Sequence, residues 1–380
     1  MTETLQTSEA LETLETLETP CLIIDTERMD HNIQTMAEKV NALQVKLRPH
    51  AKTHKMPAIA LQQMEAGAVG ITVAKVSEAE VMAANGVSNI FIAYPLVTPS
   101  KIRRAIRLSE QIELIVAVDS LAGAQRMEQI ASEQGHSLQV RLEIDTGLRR
   151  TGVLFDQAAA LAADIARMPH LRLTGIYTFR GSLVGGKSTL DVAAAGHEEG
   201  TLMVELAERL RAQGIAIADV SVGSTPTALY AAAVAGVTEV RPGTYVFHDR
   251  MQARLGVCDI TDCAGSVLVT VVSRPSADLA IVDGGSKTFA TDVQPGTDPL
   301  QLRGFGYIMN LEDALLIRMT EEHGMIELGP LAQAANLQVG DTLRIIPNHI
   351  CSTVNLHNQV VMQRGHAYER VPVLARGMLE

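Results

Sequence analysis

Residues 219–245 read DVSVGSTPTALYAAAVAGVTEVRPGTY. An apolar run at 219–223 ends in small and hydroxyl-bearing residues, Gly223-Ser224-Thr225-Pro226-Thr227. An alanine-rich helical stretch follows, then a second apolar run at 238–241 and a second small-residue turn, Gly243-Thr244-Tyr245. Strand, loop, helix, strand is the parallel βαβ unit. Toward the N-terminus the alternation recurs, with strand-like runs at 45–47, 70–74, 90–93, 112–118, 138–144 and 171–177. Seven of the eight runs have a helix-like segment before the next, such as 121–134. A further helix precedes the first run, where Met29, Ile33, Met36 and Val40 share one face and Asp25 or Thr26 can cap it. Eight units over ~230 residues predict an α/β fold, a (β/α)8 barrel in preference to a doubly wound sheet.

Beyond residue 250 the texture changes. Short strand patterns at 267–272, 279–282, 315–319, 343–346 and 360–362 are divided by turn residues, with no strong helix between them. The expected division is a flexible tail at 1–18, a barrel at 19–255 and a mainly β domain at 256–380. The tail contains Leu-Glu-Thr three times over, which reads as a frayed leader.

A net charge of −11 argues against a nucleic-acid partner, because an acidic surface repels a phosphate backbone. Cys21, Cys258, Cys263 and Cys351 are too few and too scattered for a disulfide framework. The polar opening residues do not read as a signal peptide, and no apolar run reaches the ~18 residues of a membrane span. A cytoplasmic protein is expected.

In a barrel, chemistry gathers where strands end at the C-terminal face. After the first strand comes Arg48-Pro49-His50-Ala51-Lys52-Thr53-His54-Lys55, in which five residues can carry positive charge. A lysine among cations has a lowered pKa and becomes an amine nucleophile toward an aldehyde. A solvated basic loop, or a metal held by His50 and His54, are the alternatives. After the fifth strand, Asp145 to Gly152 sets glycines around Arg149 and Arg150, a tight loop that can aim a guanidinium at an oxyanion. The loops after strands seven and eight frequently form a phosphate site in barrels, and both are rich in small residues here. Finally, His349 and Cys351 stand two apart and would share one face of a strand, where they could bind one ion, most suitably zinc. A buried free cysteine beside a histidine is the alternative.

In this order the motifs resemble the D-threonine aldolase, D-serine dehydratase and D-3-hydroxyaspartate lyase family, alanine-racemase-like (fold-type III) pyridoxal-phosphate enzymes. The resemblance runs from about residue 19 to residue 377. It implies that Lys52 is the Schiff-base lysine and that Arg150 lies near the cofactor's ring oxygen. It implies that Gly223, Ser224, Thr225, Gly243, Thr244 and Tyr245 hold the phosphate, with Tyr177 beside the ring. It makes His349 and Cys351 a metal pair of the cysteine form, with zinc favoured and manganese or magnesium as alternatives. Asp283-Gly284-Gly285 and Glu322-His323-Gly324 also match family stretches. One departure stands out: relatives carry a histidine after the sixth strand, where this chain reads Tyr177-Thr178-Phe179-Arg180-Gly181-Ser182. Arg180 is therefore expected to serve a substrate carboxylate or another anion.

The resemblance implies a homodimer acting on D-3-hydroxy amino acids. Elimination of water and ammonia to a 2-oxo acid is favoured, with retro-aldol cleavage to glycine and an aldehyde as the alternative. A racemase would need a second base, usually a tyrosine in the β domain, which has no counterpart here. A non-catalytic cofactor carrier would lack the second domain, and a metal hydrolase would use His50 and His54.

Overall fold

The structure is a computed structural model and describes residues 13–380. Eight strands form one all-parallel row: Lys46–Leu47, Glu239–Val240, Asp219–Val222, Leu171–Tyr177, Leu138–Asp145, Glu113–Val118, Asn89–Pro95 and Ile71–Val73. A parallel bridge between His50 and Thr72 joins the two ends of the row, and the Val69 N–H donates to the Leu47 carbonyl there. The sheet thus closes on itself, and all eight expected strands belong to it. Helices between the strands cover its outside through alanines, valines and isoleucines that are fully buried.

The helix before the first barrel strand, Thr26–Ala42, buries Met29, Ile33, Met36 and Val40, the four residues of the expected face. Its cap is Asp25, whose carboxylate accepts from the Arg28 N–H. The stretch after the first strand is deeply buried and is no solvated basic loop. Arg48 pairs with Glu239 at 2.8 Å and Lys55 with Glu78 at 2.6 Å, all four side chains enclosed. His54 has both ring nitrogens engaged, by Gln63 and by the Met56 N–H, so it has no nitrogen left for a metal.

Burial holds His54 down at about 4, only partly offset by its hydrogen bonds. Its contribution to stability is full above pH 6.5 and is lost as pH falls toward 4, because the unfolded state then binds the extra proton. Between pH 7 and 5 this single group should withdraw about 2 kcal/mol of stability. Urea unfolding of His54→Gln at both pH values should show a loss smaller by about that amount; an identical loss would remove His54 from the account.

The second domain contains the five expected strands, now seen as Gly265–Ser276, Leu279–Val282, Ala314–Met319, Thr342–Pro347 and Gln359–Arg364. Four further strands join its sheet. Gly306–Ile308 has only three residues, and Gly324–Leu328 opens on a glycine. Ala367–Pro372 is an edge strand, where Glu369 and Arg370 mask the alternation that marks a strand.

The fourth addition amends the expected domain boundary. Cys21–Asp25, assigned to the barrel by position, lies inside the second domain's sheet. It runs antiparallel to Gly265–Ser276, with Leu22 opposite Val267, and parallel to Gln359–Arg364, with Ile23 opposite Val361. Its first four residues are buried, the unbroken apolar run expected of a central strand. The expected tail is also shorter than drawn. Residues 1–12 lie outside the described part, but Leu14–Thr16 forms a helical turn and Leu17 packs against Cys21, Leu268 and Tyr368.

Two residues pin the domains together beside the barrel mouth. Asp249 caps the short helix Arg250–Arg254 and also accepts from the Ile350 N–H at 3.0 Å. Arg250 donates to the carbonyls of Arg303 and Gly306 and to the Asn348 side chain. The first turn after Thr342–Pro347 is thereby held over the barrel's C-terminal face.

Candidate active site

A cavity of about 1030 Å³ opens where the barrel mouth meets the second domain. Lys52 lines it from the helical turn Ala51–Thr53, its amine 5.2 Å from the centre of the Phe179 ring. Burial is the main reason this amine is held below the ordinary lysine range; the Cys351 thiol opposes the shift and Arg150 reinforces it. The direction matches the sequence reading, but enclosure leads and neighbouring cations are secondary. His50 also lines the cavity and is depressed, by burial and then by Lys52.

The loops after strands seven and eight meet beside Lys52. Ser224, Thr225, Gly243 and Thr244 all line the cavity. Thr225 ties the two loops together, its hydroxyl accepting from the N–H groups of Gly243 at 3.2 Å and Tyr245 at 3.1 Å. A side chain at Gly243 would come within 3.0 Å of the His50 carbonyl, so glycine lets this loop sit against the lysine stretch. Two expected ligands do not reach the cavity. The Gly223 N–H donates to the buried Glu199 carboxylate, and Tyr245 is a core residue whose hydroxyl accepts from Gln63. Their places are structural, because a glycine at φ +81° makes the turn and the tyrosine ring fills the barrel wall.

His349 and Cys351 also line the cavity. They are not on a strand as expected: the strand ends at Pro347, His349 caps a short helix, and Cys351 lies in that helix, Ile350–Val354. The turn still brings both into one wall. The Cys351 sulfur lies 3.2 Å from the Thr53 hydroxyl and 3.5 Å from that of Thr244. Burial opposes ionisation of both groups, yet Cys351 and Asp292 outweigh it and hold His349 up at about 11, while His349 draws the thiol down. Among the described residues no third histidine, cysteine or acid joins the pair. Asp292 accepts from His349 Nδ1 at 2.6 Å and from the Ser352 hydroxyl at 3.0 Å, so Nε2 is the ring nitrogen that could coordinate a metal. Nothing in the sequence marks Asp292, 57 residues from its partner. Asp292→Ala should weaken metal affinity by about 10–100-fold with His349 and Cys351 intact. Unchanged affinity in a chelator competition would assign the carboxylate a purely local role.

Tyr177 lines the cavity with its hydroxyl donating to Glu143 at 2.9 Å, and Arg241 stacks on its ring. Arg150 stacks on a second aromatic of the lining, Phe179, at 4.9 Å and stands 4.0 Å from Glu143. Arg241, which the sequence reading met only as the opening of its loop, is buried and also borders the cavity. Arg180 does not. It is 1% exposed, is not among the lining residues, and donates to Glu198 at 2.8 Å. It points into the barrel's outer layer, so the expected substrate carboxylate has no access to it from this cavity. Neither the Asp283-Gly284-Gly285 nor the Glu322-His323-Gly324 stretch borders the cavity; they meet in a tight turn, where a side chain at Gly285 would strike the Thr320 carbonyl.

The profile of the family described as "Alanine racemase, N-terminal domain" matches residues 24–251, and that of "Putative serine dehydratase domain" matches 264–363. The D-threo-3-hydroxyaspartate dehydratase of Delftia sp. (strain HT23) is 38% identical over 349 residues, 88% of this chain and 91% of the relative. This chain belongs to the D-threonine aldolase, D-serine dehydratase and D-3-hydroxyaspartate lyase family. The D-threonine aldolase of Arthrobacter sp. is 31% identical, over 94% of this chain and 93% of its own length. The solved Delftia sp. HT23 dehydratase superposes with a TM-score of 0.86 at 37% identity, covering 95% of this chain and 99% of that one. A D-threo-3-hydroxyaspartate dehydratase has also been solved as a cysteine-to-alanine mutant in a metal-free form. The members of the family are pyridoxal-phosphate lyases of the alanine-racemase-like fold, and the metal-free form of the hydroxyaspartate dehydratase implies a metal in that relative.

The donor set of this lyase-family chain fits both groups. A depressed amine faces two turns rich in hydroxyls and N–H groups, and Arg150 and Arg241 add positive charge around them. An imidazole and a thiolate make a soft pair with room left for water and substrate, which suits zinc.

Proposed function

We propose that this chain is a pyridoxal-phosphate- and metal-dependent lyase acting on D-3-hydroxy amino acids, eliminating water across Cα and Cβ and then taking up water at the resulting imine to release ammonia and a 2-oxo acid. One contact supports this most directly. Thr53, next to Lys52, meets the Cys351 sulfur at 3.2 Å, so the amine and the metal pair serve the same small volume. Lys52 holds the cofactor covalently and, once released from it, takes the proton at the substrate Cα. Ser224, Thr225, Gly243 and Thr244 fix the phosphate end, and Arg150 and Tyr177 border the ring. His349 and Cys351 hold the metal, zinc in this proposal, beside the β-hydroxyl. When bound, the cofactor supplies an electron sink at Cα and the metal supplies Lewis acidity to the leaving hydroxide. Asp292 keeps His349 in the coordinating tautomer.

The Delftia relative favours a 3-hydroxyaspartate-like substrate and elimination. The Arthrobacter relative favours the second reading, retro-aldol cleavage, which needs nearly the same residues. Product analysis on D-threo-3-hydroxyaspartate, D-serine and D-threonine decides between them. Ammonia and a 2-oxo acid in equal amounts support the proposal; glycine and an aldehyde replace it with the aldolase reading. A homodimer in the cytoplasm completes the proposal, and a monomer mass by light scattering would remove the dimer from it.

A further inference from the structure

Behind the two loops lies a carboxyl group that the chemistry above does not use. Glu199 sits in the long helix Val192–Ala212 and is 0% exposed. One oxygen accepts from the Gly223 N–H at 3.2 Å and the other from the Thr227 hydroxyl at 3.2 Å. Thr227 in turn accepts from the Ser224 N–H and shares a bond with the Ser224 hydroxyl, both at 3.0 Å. The carboxyl therefore grips both ends of the five-residue turn that sets Ser224 and Thr225 on the cavity wall.

The helix is cut to allow this approach. A side chain at Gly196 would come within 2.7 Å of the Thr227 carbonyl, and one at Gly200 within 2.8 Å of Val234. Gly223 adopts φ +81°, a left-handed conformation that other residues rarely hold. Three glycines thus serve one arrangement: an acid pressed against the back of an anion-binding turn.

We propose that Glu199 is the positioning residue of the phosphate cradle, holding the turn from Gly223 to Thr227 so that Ser224 and Thr225 face the anion. This rests on the reading that the cofactor's phosphate occupies these loops. The charged groups around the carboxyl are Arg180 after the sixth strand, Arg241 after the eighth, and Glu198 beside it on the helix, itself paired with Arg180. Burial lifts Glu199 to about 7, and its hydrogen bonds and the two arginines only partly offset that. An incoming phosphate repels the ionised form, so the acid is best matched to its ligand when protonated.

The test compares pyridoxal 5′-phosphate with phosphate-free pyridoxal as ligands for the full-length apoprotein, followed by absorbance. The underlying reading requires the wild type to prefer the phosphorylated ligand; equal affinities would end that reading and this inference with it. Given that preference, Glu199→Ala should reduce affinity for the phosphorylated ligand by about tenfold or more while pyridoxal changes by less than about twofold. In the wild type the preference should fall by about tenfold from pH 7 to pH 9 as the carboxyl ionises, and in Glu199→Gln it should stay flat. Glu199→Gln keeps an acceptor for the Gly223 N–H, so it also serves if the alanine variant does not fold. Equal weakening of both ligands in the alanine variant, or a wild-type pH dependence retained in the glutamine variant, would overturn the assignment.

Discussion

Replacing Lys52 with alanine should leave a folded protein whose turnover of D-3-hydroxy amino acids falls by about 10³-fold or more. It should also no longer retain cofactor covalently after borohydride reduction. The magnitude follows from two roles vested in one amine: covalent anchorage and proton abstraction at Cα. Folding should survive, because Lys52 makes no ion pair among the described residues and its amine lies 5.2 Å from the centre of the Phe179 ring. The heavy structural burden of the stretch rests on Arg48 and Lys55, each bound to a buried glutamate. Lys52→Arg should be equally inactive, since a guanidinium stays protonated where the depressed lysine amine does not. Turnover of the alanine variant within tenfold of wild type would mean that the catalytic amine is a different one.

The second large effect is expected at the metal pair. His349→Ala and Cys351→Ala should each lose bound metal and about 3 kcal/mol or more of transition-state stabilisation, a factor on the order of 10²–10³ in rate. Cofactor binding should persist in both, because the phosphate turns and Lys52 belong to the barrel. The double variant should be little worse than either single one, as two ligands of one ion fail together. Stoichiometric metal in either variant, measured by elemental analysis, would place the ion elsewhere.

How much of this was legible in advance depended on range. The eight barrel strands declare themselves locally, as short runs rich in apolar residues, seven of them with a helix-like segment before the next. Lys52, Ser224, Thr225, Gly243 and Thr244 line one cavity because a parallel barrel delivers its strand ends to one face, and the turn after Thr342–Pro347 brings His349 and Cys351 to the same cavity from the second domain. What escaped was set by side-chain direction and distant pairing. Arg180 and Phe179 are neighbours, yet the loop after Leu171–Tyr177 sends one to Glu198 and the other into the cavity. Asp292, Glu199 and Arg241 act through partners 57, 24 and 20 residues away, and no spacing rule encodes such contacts. The strand character of residues 21–25 was hidden for the same reason: a five-residue run says nothing of which sheet it will enter.

That strand has a consequence for synthesis. Cys21–Asp25 is made early, yet both of its neighbours, Gly265–Ser276 and Gln359–Arg364, leave the ribosome more than two hundred residues later. The barrel can close while its leading segment still lacks a sheet, and the second domain cannot finish until that segment is threaded between two late strands. Cutting the gene near codon 255 would therefore not yield two self-sufficient halves: the downstream piece would expose an open slot at the middle of its sheet, and a peptide spanning residues 19–25 would be the natural plug for it.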